Sequence, residues 1–158
     1  MVYRICEFRD RKVYHLVNRG GGKQGIFFST DDYEHWKVLM DRHSRGRVDV
    51  IAYAVLPNHF HILARQLTGE GVERFMRYLQ QSYSRYLGKT RNMKGQVYEG
   101  NFFASQIKNQ RHYYNVLDYI VRNPTKHKMS NLGIGGRSGG RGNIVLKMQT
   151  ETDRIFRK

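Results

Sequence analysis

The sequence contains very little cysteine and proline, and it lacks a long apolar run. One cysteine, Cys6, occurs among 158 residues, which excludes an internal disulfide and a cysteine-based zinc cluster. Only two prolines interrupt the chain. No segment approaches the roughly 20 apolar residues of a membrane-spanning helix, and residues 1–4 do not begin a signal peptide. We therefore expect a cytoplasmic protein.

Acidic side chains are also scarce relative to basic ones. The chain has 13 Asp and Glu against 28 Lys and Arg, which gives a formal net charge of +15. Such an excess predicts a polyanionic partner, either nucleic acid or an anionic membrane surface. With 39% hydrophobic residues, the length suits one globular domain with a real core. A nucleic-acid-binding protein is the leading class before any motif is considered.

The order of apolar patterns predicts an α+β fold with one sheet and its helices packed on one side. From residue 130 onward the chain is rich in Gly and Arg, so we separate a folded domain, 1–129, from a basic low-complexity tail, 130–158. We assign no structure to residues 133–142, and residues 143–148 could form a short strand or remain part of the tail. We expect a second helix closed by Gly88 and a third stopped by Pro124. The predicted strands are 13–17, 48–56, 59–64, 96–98 and 102–107, and the helices are about 31–44, 72–87 and 110–123.

The tripeptide His59-Phe60-His61 is the most informative motif. It follows a Pro57-Asn58 turn inside an apolar stretch of strand character. Because successive strand side chains point to opposite faces, the two imidazoles project from one face, about 6.5 Å apart along the strand. Two neutral imidazoles so arranged can bind one metal ion, and the pair alone suits zinc as well as other ions.

The third helix carries a tyrosine away from its core-facing stripe. Tyr119 shares a flank with Asn123 one turn later and with His112 two turns earlier. A tyrosine hydroxyl can act as a nucleophile and form a covalent intermediate. The alternative is a surface aromatic, since the chain has 11 tyrosines. The predicted core stripe consists of Tyr113, Val116, Leu117, Ile120 and Val121.

These two segments resemble a known family. Residues 57–63 resemble the histidine–hydrophobe–histidine motif of single-tyrosine HUH transposases, and residues 119–124 resemble the tyrosine helix of the REP-associated tyrosine transposases among them. Residues 14–20, 27–32 and 95–100 fit the same branch in the same order. The resemblance covers about residues 13–125. Agreement at five separated places is more specific than any one of them.

The resemblance implies a fold and a chemistry. The fold would be an RRM/ferredoxin-like palm, an antiparallel sheet with the paired histidines on a central strand. Mg²⁺ or Mn²⁺ would be held by His59, His61 and Asn123, and Tyr119 would form a 5′-phosphotyrosine bond. The substrate would be single-stranded DNA beside a hairpin of a repetitive palindromic element, which is nicked and rejoined. We expect a monomer associated with the nucleoid.

Basic side chains in several regions are candidates for DNA contact, although a solvated basic face is the default interpretation. His15 on the first strand is either a further ligand or DNA contact or, as we favour, an ordinary hydrogen-bonded histidine. The candidate cations are Arg19 and Lys23 in the glycine-rich loop, Arg77 and Arg85 on the second helix, Lys89, Arg91 and Lys94 after it, and Lys126.

Two other functions remain open from the sequence. One is a small replication or plasmid-transfer initiator with the same metal–tyrosine chemistry, against which the short chain counts. The other is a non-catalytic nucleic-acid-binding module on an RRM-like sheet. The joint presence of Tyr119, His59, His61 and Asn123 counts against that module.

Overall fold

The computed structural model describes residues 7–126 and 144–146, without the side chains of 123–126 and 144–146. All strand pairings are antiparallel, in the order β4-β1-β3-β2-β5. The first six regular elements follow the β-α-β-β-α-β arrangement of ferredoxin-like folds, which confirms the predicted class. The elements are β1 Val13–Arg19, α1 Thr30–Ser44, β2 Val48–Leu56, β3 His59–Gln66, α2 Gly71–Arg91, β4 Phe103–Gln106, α3 Gln110–Lys126 and β5 Ile144–Leu146.

Several element boundaries differ from the predicted ones. Gly88 lies inside α2, which continues to Arg91 and is followed by Asn92 in the left-handed conformation. Asparagine tolerates that conformation and so can replace glycine as the terminating residue. The predicted stop at Pro124 was wrong, since α3 continues to Lys126. Proline has a helical φ, so the helix loses one backbone hydrogen bond there without ending. The expected strand 96–98 is reduced to a bridge between Gly20 and Tyr98. Within the predicted tail, only β5 is described.

The sheet is covered on both faces, so the prediction of helices on one side was wrong. One face packs against α1 and α2 through a core that includes Phe60, Ile62 and Trp36. The opposite face packs against α3 through a second cluster. The physical reason lies in β2, where residues 52–56 are all buried, since a strand with both faces covered has no polar face.

Small side chains in β2 make room for α3. The second cluster contains Ala52 and Ala54 on β2 together with Leu63 on β3, and Ile120 of α3 is fully buried against them. Tyr113 is buried in the same cluster. Because Tyr113 and Ile120 are buried against the sheet, their side of α3 faces inward and the other sides of the helix face away from the sheet.

A buried carboxylate ties the start of α1 to the end of α2. Asp32 is fully buried and accepts hydrogen bonds from the Phe28 amide at 2.8 Å and the Tyr86 hydroxyl at 2.9 Å. Arg91 donates to both carboxylate oxygens at 3.0 Å. A buried charge needs such partners, so Arg91 has a structural role.

Among the described residues, no helix is long and apolar enough to cross a membrane.

Replacing Ile120 with alanine should loosen α3 from the sheet. The change removes a fully buried side chain, and we expect a loss of about 2–4 kcal/mol in unfolding free energy. Urea denaturation followed by circular dichroism measures it. Tyr114→Ala is the matched control because Tyr114 is exposed on the same helix. Equal losses in the two variants would contradict the proposed packing.

Candidate functional site

The two motif histidines lie on the sheet face covered by α3. His61 is paired in register with Val17 of β1 and Ala54 of β2, so β3 is the central strand there. Phe60 points the other way, with its ring centroid 5.2 Å from that of Trp36. The His59 and His61 rings are 5.1 Å apart between centroids and nearly perpendicular, at 79°. The predicted alternation is confirmed.

The spacing of these rings fits one divalent ion. Two imidazoles that bind an ion through ring nitrogens at about 2.1 Å have centroids about 4.5–5.5 Å apart, and here the value is 5.1 Å. His59 Nδ1 is 2.7 Å from Asn58 Oδ1, and the Asn58 amide nitrogen donates to the Lys23 carbonyl at 3.3 Å. His59 Nδ1 therefore donates, and Nε2 is the nitrogen through which this ring would bind an ion.

The predicted third ligand, Asn123, is a carboxamide. In the part of the chain that the structure describes, no three His, Cys, Asp or Glu side chains form a metal-binding group. Asn123 follows Tyr119 by one turn on α3, and its side chain lies outside the description. Its role as a ligand stays a prediction.

Tyr119 is brought to the histidines by α3. Its ring meets that of His61 edge-on, with centroids 5.3 Å apart and planes at 83°. The Tyr119 side chain is 44% exposed, as expected for a residue away from the core-facing side of α3, so a ligand from solvent can reach it. The structure thus joins two motifs that are far apart in sequence.

His15 belongs to the same cluster, and the favoured prediction of a hydrogen-bonded histidine is confirmed, with His61 as its partner. Its Nε2 lies 3.0 Å from His61 Nδ1, and the two rings are stacked with planes at 19°. Burial, and then the charge of His112, lower the pKa of His15 to about 4. His15 is therefore neutral near pH 7. The available signal was strand alternation, which puts residue 15 on the face of residues 17 and 19.

The candidate DNA-binding residues fall into separate groups. Arg19 is the register partner of His59 and forms an ion pair with Glu99, which lowers the pKa of that carboxyl. Lys23 lies beside the turn before β3, since its carbonyl accepts from Asn58. These two cations flank the histidine end of the sheet.

The second helix carries the other described cations. Arg77 and Arg85 are exposed on α2, on the sheet face opposite Tyr119, and the guanidinium of Arg77 lies 5.1 Å from the centre of the Tyr78 ring. Lys89 and Lys94 are exposed near the end of α2. Arg91 is committed to Asp32, and the Lys126 side chain lies outside the description.

A model of IS200-like transposases matches residues 10–123, well over half of the sequence. The chain belongs to this family. Membership identifies a transposase-type protein that acts on DNA, in agreement with the resemblance found in the sequence. No protein with a curated description matches the chain.

Solved structures support the fold. A REP-associated tyrosine transposase bound to a REP hairpin is 19% identical, with a TM-score of 0.67 over 80% of this chain and 74% of that chain. A candidate transposase from Deinococcus radiodurans R1 is 14% identical, with a TM-score of 0.51 over 76% of this chain and 95% of that chain. At these identities the likeness establishes the fold.

The buried His15 should make stability depend on pH. Its pKa falls from 6.5 to about 4 on folding, so the unfolded state binds more protons between these values. Stability therefore decreases as the pH drops through this window, by up to about 3 kcal/mol from this residue. His61, His112 and Tyr119 are the other titratable groups that face it.

Urea denaturation of wild type and His15→Gln at a series of pH values measures this contribution. The difference between their unfolding free energies should change across the window from 6.5 to about 4, since glutamine does not titrate. Parallel pH profiles for the two proteins would contradict the assignment.

Proposed function

We propose that this protein is a metal-dependent DNA strand transferase that nicks and rejoins single-stranded DNA beside a hairpin. The observation that carries the proposal is the contact between Tyr119 and His61, 5.3 Å between ring centroids, on a helix and a strand of one chain. Membership in the IS200-like transposase family supports the same reaction class. The hairpin bound by the similar solved structure supports a hairpin-flanked substrate.

Tyr119 would be the nucleophile of a transesterification. Its hydroxyl oxygen forms a bond to the scissile phosphorus while the bond from phosphorus to the 3′ oxygen breaks. The phenol gives up its proton to solvent, and the departing 3′ oxygen takes up a proton to leave as a 3′-OH, so no net proton is gained or lost. One phosphoester bond replaces another, so the reverse attack by a 3′-OH rejoins the DNA without ATP.

His59, His61 and Asn123 would hold Mg²⁺ or Mn²⁺. Such an ion polarises a phosphate oxygen and stabilises the charge that develops in the transition state. The protein's part is to keep the ligands rigid. Both histidines lie on the central strand β3, and Asn58 fixes the ring of His59. A site built on a strand is more precise than one built on a loop.

Each chain contains its own candidate site. The helix that carries Tyr119 packs on its own sheet through the fully buried Ile120. The nucleophile therefore reaches His61 without a helix from a second molecule. This arrangement supports a protein that acts as a monomer.

The DNA would contact two regions of the surface. Near the site, Arg19 and Lys23 flank the turn before β3 and can meet the phosphates of the single strand. The hairpin stem would be held through its phosphates by Arg77 and Arg85 on α2. Lys89, Lys94 and Lys126 are further candidates, whereas Arg91 is engaged with Asp32. A protein bound to DNA in this way would be associated with the nucleoid.

Replacing Tyr119 with phenylalanine should abolish the covalent product. End-labelled, hairpin-flanked single-stranded DNA incubated with wild type and Mn²⁺ should give an adduct that resists SDS. Tyr119→Phe should give none, because it lacks the attacking oxygen. Tyr114→Phe, exposed on the same helix, should behave as wild type. An adduct with Tyr119→Phe, or none with wild type on any suitable substrate, would refute the mechanism.

Replacing His61 with alanine should separate cleavage from binding. The change removes a metal ligand, so adduct formation should fall by more than the roughly 10–100-fold typical of changing an outer-shell partner. Hairpin affinity, measured by fluorescence anisotropy, should stay within about threefold because phosphate contacts dominate it. An equal loss of binding would assign the histidine a purely structural role.

Neutralising the α2 cations should weaken hairpin binding alone. In Arg77→Gln and Arg85→Gln, the slope of log affinity against log salt should decrease by about 1 each if each arginine contacts a phosphate. Adduct formation on a short single strand should be unchanged. Arg9→Gln is the control, since Arg9 is exposed and paired with Glu7. Unchanged salt slopes would place the stem elsewhere.

A further inference from the structure

We propose that His15 is a positioning residue that fixes the tautomer and the orientation of His61, a role that rests on the proposed metal site. In this arrangement His61 Nδ1 donates its hydrogen to His15 Nε2. The lone pair on His61 Nε2 is then available to a divalent ion. His15 itself does not touch the ion or the DNA.

The geometry of the two strands supports a persistent contact. His15 lies on β1 and His61 on the adjacent β3, diagonally across the pairing in which Val17 faces His61. The two nitrogens are 3.0 Å apart and the rings are stacked at 19°. His61 is only 5% exposed. Rotating the buried His61 ring away from His15 would therefore cost free energy, because water cannot easily replace the lost hydrogen bond.

The two motif histidines are held in the same way. His59 uses Nδ1 toward Asn58 Oδ1 at 2.7 Å, and His61 uses Nδ1 toward His15 at 3.0 Å. Each ring is thus anchored through one nitrogen and presents the other, Nε2, as a ligand. Metal-binding histidines typically donate their second ring N–H to an acceptor that fixes the tautomer. In this arrangement two independent partners would leave both rings to bind a shared ion through Nε2.

The hydrogen bond has only one direction compatible with that ion. If His15 Nε2 donated, a neutral His61 would accept at Nδ1 and carry its hydrogen on Nε2. His61 would then have no lone pair for the metal. His61 must therefore be the donor, and a neutral His15 carries its own hydrogen on Nδ1.

Substitutions at position 15 separate this role from simple packing. A glutamine carbonyl oxygen can occupy the place of His Nε2, whereas the shorter asparagine places its oxygen near Nδ1. His15→Gln should therefore bind Mn²⁺ within about threefold of wild type, as measured by titration with EPR detection of free Mn²⁺. His15→Leu and His15→Asn should bind about 10–100-fold more weakly. Equal affinity in His15→Leu and wild type would overturn the proposal.

The matched control lies on the other side of the fold. His43 is also a partly buried, hydrogen-bonded histidine, with Nε2 3.1 Å from the Ser82 hydroxyl oxygen. His43→Leu should leave Mn²⁺ affinity unchanged. If it weakens Mn²⁺ binding as much as His15→Leu does, the loss at position 15 reflects general destabilisation.

A second measurement on wild type needs neither metal nor variants. Long-range ¹H–¹⁵N NMR correlations at neutral pH should show His61 with its hydrogen on Nδ1 in the metal-free protein. A hydrogen on Nε2 would overturn the role of His15. If wild type binds no Mn²⁺, the proposed metal site fails, while the His61 tautomer still decides whether His15 acts as the acceptor.

Discussion

The packing of α3 on the second face of the sheet is the constraint on which the candidate site depends. The sheet supplies the histidines on β3, but the hydroxyl that would react is on a separate helix. Ile120 packs that helix against the small side chains of Ala52 and Ala54. The neighbouring Tyr119 is thereby placed with its ring next to that of His61. In the proposed reaction, the packing of α3 would therefore control the rate, because displacements of about 1 Å already affect such reactions strongly.

The two parts of the site, on β3 and on α3, differ in burial. The strand half is buried and tied by hydrogen bonds at His59 and His61. The helix half is open, with Tyr119 partly exposed. In the proposed reaction, a rigid half that holds an ion and an accessible Tyr119 would suit a substrate that enters, forms a covalent bond and later departs. The proposed Nδ1 contacts would keep both imidazole rings in place.

Local chemistry made part of this structure predictable from sequence. The His-Phe-His alternation and the off-stripe position of Tyr119 follow from the periods of strand and helix, and both are confirmed. The side of the sheet that α3 covers was not predicted, because periodicity gives a buried face without naming its partner. His15 was correctly predicted to be hydrogen-bonded, but its partner His61 was not predicted. Its meaning depends on the pairing of β1 with β3, which no spacing within β1 reveals.

Arg91 has a structural role that the sequence did not indicate, and its predicted DNA contact stays a prediction. In the sequence it belongs to a basic run near aromatics, which is typical of nucleic-acid contact. In the structure it neutralises the buried Asp32 and so joins α1 to α2. The partner of a charged side chain depends on the tertiary structure. Net charge therefore indicates the class of partner more reliably than it identifies the residues that touch it.

The last strand, β5, has a consequence for how the sheet avoids unwanted association. It pairs with β2 at Ala52, Tyr53 and Ala54, on the side of β2 that faces away from β3. Without it, the backbone donors and acceptors of β2 would form an open edge that another chain could extend. Three residues from a segment of low-complexity composition thus act as a protective border for the strand on which α3 rests.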